Sequence, residues 1–346
     1  LHSVPLFKPR TKVVMINNNV TVQPKSVYAS STICEYPIKA HDQQWSYYKM
    51  TASKIVLQPT FDPTERIPID LSNISPDTLA GKSLDKITKM KIWRGNRRTT
   101  LGKLFEVTGK GDKSAEKIAI EVLGKIPQCR HFGQDMTTGK IVVKGEVGMH
   151  LGARMKGGTI EVKGNVDHWL GAEMSGGAIR VRGNVGDKAA SAYLGSNYGM
   201  NGGSLYITGN VGHELGMGMR RGVIVVDGDT ESFTGTRMLA GTIIIRGQLG
   251  PRAGASMRYK GTIIALGKVD SLMPTHLFNG EYSEMLFLRL LLDAIEKEIP
   301  GVTFTEKERV GPYLRFTGDF GSGGRGELLL FKPTNTHILG ARNNGE

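Results

Sequence analysis

One phrase recurs down the middle of this chain, and its period decides what the chain can fold into. The phrase reads Leu-Gly-Ala-x-Met-x-Gly-Gly-x-Ile-x-Val-x-Gly-Asn-Val. It is clearest at 151–166 and 170–185, looser from Leu194, Leu215, Thr234 and Ala253, with a partial first copy over 136–150. Its Met falls at 155, 174, 200, 219, 238 and 257, so the spacings are 19, 26, 19, 19 and 19. A fixed period near 19 is the mark of a solenoid, in which each copy buries its apolar face against the next.

Each copy holds one short strand-like run: 159–163, 178–182, 204–208 and their counterparts. Apolar and polar residues alternate along it, the period-2 pattern of a strand buried on one face. Gly-Gly ahead of each run and Gly-Asn or Gly-Asp behind it are expected to supply the φ > 0 positions of tight turns. Stacking then builds two inward columns. One is Ile160, Ile179, Leu205, Ile224, Ile243 and Ile263; the other is Val162, Val181, Ile207, Val226, Ile245 and Ala265. The Met column fills the same interior, because an unbranched thioether adapts to irregular gaps. No stretch of 136–270 is long and Gly-free enough for a helix, and the Asp-rich nonapeptide of calcium-binding repeats is absent. The expected fold is mainly β: a right-handed parallel β-helix of about seven coils, a rod roughly 30 Å long.

The flanks divide the chain further: an extension over 1–49, a lead-in over 50–114, the β-helix over 115–270 and a tail over 271–346. Residues 1–49 carry no repeat, and are read either as an N-terminal arm or as sequence upstream of a start at Met50. They lack the apolar core of a secretory signal. Ser75-Pro76 marks a helix start with Pro in the first turn, a short helix is expected over 82–89, and 115–124 alternates like the first strand of the stack. Residues 281–298, closed by Pro300, form the strongest helix pattern. It is expected either to cap the open last coil or to lie along the side of the final coils. Net charge is +13 with a pI near 9.6, of which 1–49 contributes +4, which suits an anionic partner. No apolar run approaches ~20 residues, so no membrane span is expected. Cys34 and Cys129 have no metal-type spacing, which fits a reducing cytoplasm.

Two flanking motifs add a family resemblance to the repeat. On the N-terminal side stand IDLSNISPDTLAGKS (69–83) and WRGNRRTTLGKLFEV (93–107); on the C-terminal side stands YLRFTGDFGSGGRGE (313–327). Over roughly Lys54 to Leu330 the chain resembles the C subunit of formylmethanofuran dehydrogenase and of the bacterial formyltransferase/hydrolase complex. The repeat alone also resembles the C-terminal domain of glutamate synthase, so a stand-alone β-helical binding scaffold is the alternative; the 93–107 motif favours the one-carbon family. The resemblance implies a non-catalytic structural subunit of an enzyme complex handling formyl groups on a methanofuran-like coenzyme. It further implies an amidohydrolase-like A subunit with a metal centre, a B subunit that carries molybdenum or tungsten pterin in the dehydrogenase, and a formyltransferase D subunit in the bacterial complex.

The residues themselves offer little catalytic chemistry. His168 and His213 hold equivalent turn positions with a whole coil between them, ~9–10 Å apart, too far to share a metal. His150 also precedes a Leu-Gly, and polar turn residues explain all three. Cys129-Arg130-His131 are neighbours in sequence only, which makes no triad. Gly321 to Gly326 reads as a flexible turn before an anion cradle. No catalytic or metal-ligating residue is therefore assigned to the chain. The outward strand column is more telling: Glu161, Arg180, Tyr206, Val225, Ile244, Ile264. Tyr206, Val225, Ile244 and Ile264 make an apolar strip that has to be covered, either by the chain's own 281–298 helix or by a docking partner. Trp93 and Arg94 of the family motif are the other partner-docking candidates. Arg154, Lys156, Arg220 and Arg221, with Arg237 and Arg258, crowd the Met-column turn. The coenzymes of the resembled family carry a glutamate-rich tail, and clustered Arg suits its carboxylates. Ion pairs to partners or a solvated basic face are the plainer accounts. Nucleic acid is not expected, since no aromatic stacking platform or nucleic-acid fold accompanies the charge.

Overall fold

The computed structural model describes residues 53–343, so the expectations for 1–49 and Cys34 lie outside the described residues. Within these residues seventeen strands form two sheets. The larger has thirteen strands in the order β15-β16-β17-β14-β13-β12-β11-β10-β9-β8-β6-β1-β5. Its repeat strands are β8 (Lys140–Val143), β9 (Thr159–Val162), β10 (Ser175–Val181), β11 (Asn201–Ile207), β12 (Arg221–Val226), β13 (Ala240–Ile245) and β14 (Lys260–Ala265). All pair in parallel, in register: Ile141, Ile160, Ile179, Leu205, Ile224, Ile243 and Ile263 are successive partners. A second file of parallel bridges runs Ile126, Val147, Val166, Val185, Val211, Thr230, Leu249, Val269. Both inward columns and Met155, Met174, Met200, Met219, Met238 and Met257 are buried in one apolar core.

The stack runs past the repeat at both ends. β1 (Ser53–Pro59) lies parallel to β6 (Ile118–Val122) and puts Ile55 and Leu57 under Ile120 and Val122. β5 (Phe105–Gly109) then closes that end antiparallel to β1. At the other end β17 (Glu327–Phe331) sets Leu328 on Ile263 and Leu330 on Ala265. β16 (Tyr313–Thr317) and β15 (Phe278–Tyr282) follow antiparallel. Strands from the non-repeating flanks therefore protect the terminal coils, the role one reading gave to a helix. The smaller sheet has the order β4-β3-β2-β7: β2 (Ile69–Asp70), β3 (Lys91–Arg94) and β4 (Arg97–Thr100) come from the lead-in, and β7 (Cys129–Arg130) from the first part of the stack.

Helices among the described residues are few, and their ends follow local chemistry. Ser75 caps Pro76–Leu79 in a capping box with Thr78, and Ser83 caps Leu84–Thr88. The long C-terminal helix is Leu286–Glu298, shorter than 281–298, because Glu281 and Tyr282 are bonded into β15. It lies along the outside of the stack. Leu288, Leu292 and Ile295, spaced one turn apart on one face, cover Tyr206, Val225, Ile244, Ile264 and Leu329.

The closing glycines correct one expectation. Gly164, Gly183, Gly209 and Gly228 do not have positive φ; a Cβ on any of them would lie 2.4–2.7 Å from the neighbouring coil. Close approach, not a left-handed turn, demands glycine there. In the Gly-Gly pairs the second member does need φ > 0, as at Gly158 (+81°) and Gly177 (+80°). Beside the closing glycines runs a ladder of side-chain caps. Asn184, Asn210, Asp229 and Gln248 each donate a backbone N–H to the side-chain oxygen of Asn165, Asn184, Asn210 and Asp229, at 2.7–2.9 Å. This satisfies turn donors that the parallel ladder leaves unpaired.

Candidate functional site

The outward apolar column is not a docking face. Val225, Ile244 and Ile264 are fully buried and Tyr206 nearly so, beneath the chain's own helix. Of the two expected occupants, the internal helix is the one present. The Tyr206 hydroxyl donates to the Asp227 carboxylate at 2.6 Å, so even its polar end is satisfied.

The basic residues separate into two groups rather than one. Lys156, Ser175, Asn201, Arg220, Leu239 and Arg258 occupy one position, each donating its N–H to the Met carbonyl of the preceding coil, 2.7–2.8 Å away. Lys156 and Arg220 are thus three coils apart, ~14 Å. Arg154 is held by both oxygens of Asp135 at 3.2 Å, one coil away. Arg220 lies over the ring of Tyr198 at 4.9 Å. Arg220, Arg221, Arg237 and Arg258 are exposed, and form no ion pair among the described residues. Tyr198 comes from the 26-residue copy, whose extra residues form a loop carrying Leu194, 89% exposed, at its tip.

A second surface follows the turn before each Phe-Gly or Leu-Gly. His131, His150 and Trp169 share a left-handed backbone there, φ 59–64°. Their rings stack, His131 on His150 at 4.6 Å and His150 on Trp169 at 6.1 Å, while Tyr193 stacks on Trp169 at 4.8 Å. The Tyr193 hydroxyl lies 2.9 Å from His150 Nδ1. Asp70 sits 3.5 Å from His131. The ladder was readable in principle, since equivalent repeat positions had to stack.

Burial of the imidazole, with His131 and Arg130 adding positive charge, lowers the pKa of His150 to about 4. Its ordinary value is near 6.5, so below that pH the unfolded chain binds a proton that the folded chain refuses. Stability is expected to fall as pH drops from 6.5 towards 4, and His150→Gln to flatten that fall. Urea melts across the window check this; an unchanged slope in the variant contradicts it.

The remaining candidates are turn structure. His168 Nδ1 accepts from the Asp187 N–H at 2.8 Å, and Asp187 Oδ1 accepts from the His213 N–H at 2.8 Å, so Asp187 fills the coil between the two histidines. Among the described residues no three His, Cys, Asp or Glu gather as a metal site. Cys129 is buried, and burial pushes its thiol up, away from nucleophilic thiolate. The N–H groups of Gly321, Ser322, Gly323 and Gly324 are all taken by Asp319 or Phe320, so these four are not turned toward an anion. Trp93 is 44% exposed with the Arg98 guanidinium 4.8 Å over its ring, and Arg94 is ion-paired to Glu65. No helix among the described residues is long and apolar enough to cross a membrane.

Comparison with known proteins places this architecture. A family model described as the GXGXG motif matches residues 124–276, the stack itself. The C subunit of tungsten-containing formylmethanofuran dehydrogenase 2 from Methanothermobacter thermautotrophicus is 43% identical over 97 residues, a segment spanning about a third (35%) of that relative. The protein of the same name from Methanococcus maripaludis is 43% identical over 274 residues, 79% of this chain and 95% of the relative. Among solved structures, a chain of the formyltransferase/hydrolase complex (FhcABCD) from Methylorubrum extorquens, in complex with methylofuran, superposes with a TM-score of 0.70. It is 32% identical, over 80% of this chain and 98% of that one. On this near-complete correspondence, the chain belongs to the family of formylmethanofuran dehydrogenase C subunits.

Proposed function

We propose that this chain is the C subunit of a cytoplasmic complex that handles formyl groups on a methanofuran-like coenzyme, and that it organises its partners without catalytic residues of its own. The observation that supports this most is coverage: stack and flanking motifs together correspond to 95% of a relative that is itself a C subunit by name. The partners in this reading are an amidohydrolase-like A subunit, a B subunit and, in a formyltransferase/hydrolase complex, a formyltransferase D subunit. The metal centre and any molybdenum or tungsten pterin reside on them. A stack closed as a right-handed parallel β-helix suits the task, because its rigid wall offers neighbours a long fixed surface. The test is reconstitution. A complex assembled without this chain should lose formyl transfer, and the isolated chain should turn over no formyl-furan; turnover by the isolated chain would overturn the non-catalytic role.

For the coenzyme's glutamate-rich tail, Arg220 and Arg221 with Arg237 and Arg258 are the residues of choice, since none of them is committed to an internal carboxylate among the described residues. Arg154 is already engaged by Asp135, and Lys156 is a separate, more distant contact. Arg220→Glu with Arg221→Glu is expected to reduce coenzyme retained by the purified complex several-fold and to weaken its salt dependence. Unchanged retention and salt sensitivity would sink the assignment.

A further inference from the structure

We propose that β4 is a docking edge for an extended acidic segment of a partner polypeptide, which joins the smaller sheet as a fifth strand beside it. This rests on the chain being one member of a complex, and adds which face it offers and to what chemistry. Three observations converge on β4. It is the outer strand of the order β4-β3-β2-β7, so among the described residues one side of its backbone has no strand partner. Residues 82–103 hold eight Lys or Arg against the single acid Asp85, a net +7 out of +13 for the whole chain. Within that segment Arg94 is paired with Glu65, whereas Arg97 and Arg98, on β4 itself, are exposed and have no carboxylate partner among the described residues. Beside them Trp93, the cross-strand partner of Arg98, stays 44% exposed under its guanidinium.

These features choose the occupant. An open strand edge is read by another polypeptide backbone, through main-chain hydrogen bonds. Two copies of β4 side by side would set Arg against Arg, so the charge that opposes self-pairing favours a strand rich in Asp or Glu. Trp and Arg are also the residue types that most often anchor protein contacts. Nucleic acid would use the charge but not the free backbone row, and it enters as an outcome of the test.

The probe is a fluorescent octapeptide of alternating Glu and Val, titrated onto the full chain, with a Lys/Val octapeptide and an oligothymidylate as comparisons. The Glu/Val peptide is expected to bind in a salt-sensitive manner and to slow amide exchange at 97–100, and the Lys/Val peptide not to bind. Arg97→Glu with Arg98→Glu is expected to weaken binding about ten-fold or more, Trp93→Ala also to weaken it, and Arg220→Glu with Arg221→Glu to leave it within about two-fold. Absent binding, tighter binding of the oligothymidylate, no exchange protection at 97–100, or indifference to the β4 variants each overturns the proposal. If the whole complex still assembles normally with the charge-reversed β4, membership of the complex stands and this edge is excluded from it.

Discussion

Ile244→Asp is expected to cost about 4 kcal/mol or more, enough to unfold much of a marginally stable domain. Ile244 is fully buried between the outer face of the sheet and the helix Leu286–Glu298. Its cross-strand neighbours are Val225 and Ile264, and the helix contributes Leu288, Leu292 and Ile295, so a carboxylate there meets no donor. Ile244→Val, which removes one methylene and adds no charge, should cost only about 1 kcal/mol. Urea denaturation of the isolated chain reads both. Wild-type stability in the Asp variant would mean that the helix does not hold this strip in solution, and would return the strip to a docking partner.

Gly183→Ala is the second large effect, expected at about 3 kcal/mol. Its Cβ would stand 2.6 Å from both the Gly164 carbonyl oxygen and Asn165 Oδ1, and 2.7 Å from the Gly164 carbonyl carbon. Two of these are backbone atoms of the adjacent coil, fixed by the parallel ladder, so relief requires the coils to separate. That would also stretch the bond from the Asn184 N–H to Asn165 Oδ1, now 2.9 Å. Gly195→Ala is the contrast. Gly195 has φ +87° with nothing within 4 Å of a Cβ, so it should lose only about 1 kcal/mol of backbone strain. Equal losses at the two sites would mean that coil-to-coil contact does not constrain the closing glycines.

Much of the stack was legible because repetition fixes register. Once Ile160 and Ile179 occupy one position of the phrase, their pairing follows, and the observed ladder has that register. The terminal strands were less so, because β1 and β17 come from segments without the repeat and are placed by pairing with strands of the stack far away in sequence, while β15 and β16 only extend the sheet beyond β17. The closing glycines showed that a turn was near, but not whether φ or close approach required them; that depends on the distance to the next coil. The apolar strip at Ile244 announced a cover without naming it, since hydrophobic burial is not directional. The division within the basic group was hidden for a different reason. Asp135, Arg154 and Glu173 share one repeat position, and reading that column would have shown Arg154 sandwiched between acids; grouping the cations alone did not. The His131, His150, Trp169 ladder was likewise a column that only alignment of the copies reveals.

Native purification of this chain under mild conditions, with mass and polypeptide identity read from the intact particle, decides whether it works as the C subunit of a formyl-handling complex. A multi-subunit particle containing an amidohydrolase-like polypeptide and a furan coenzyme with a glutamate-rich tail is the expected result. A chain that purifies alone as a stable monomer, with neither, would contradict it.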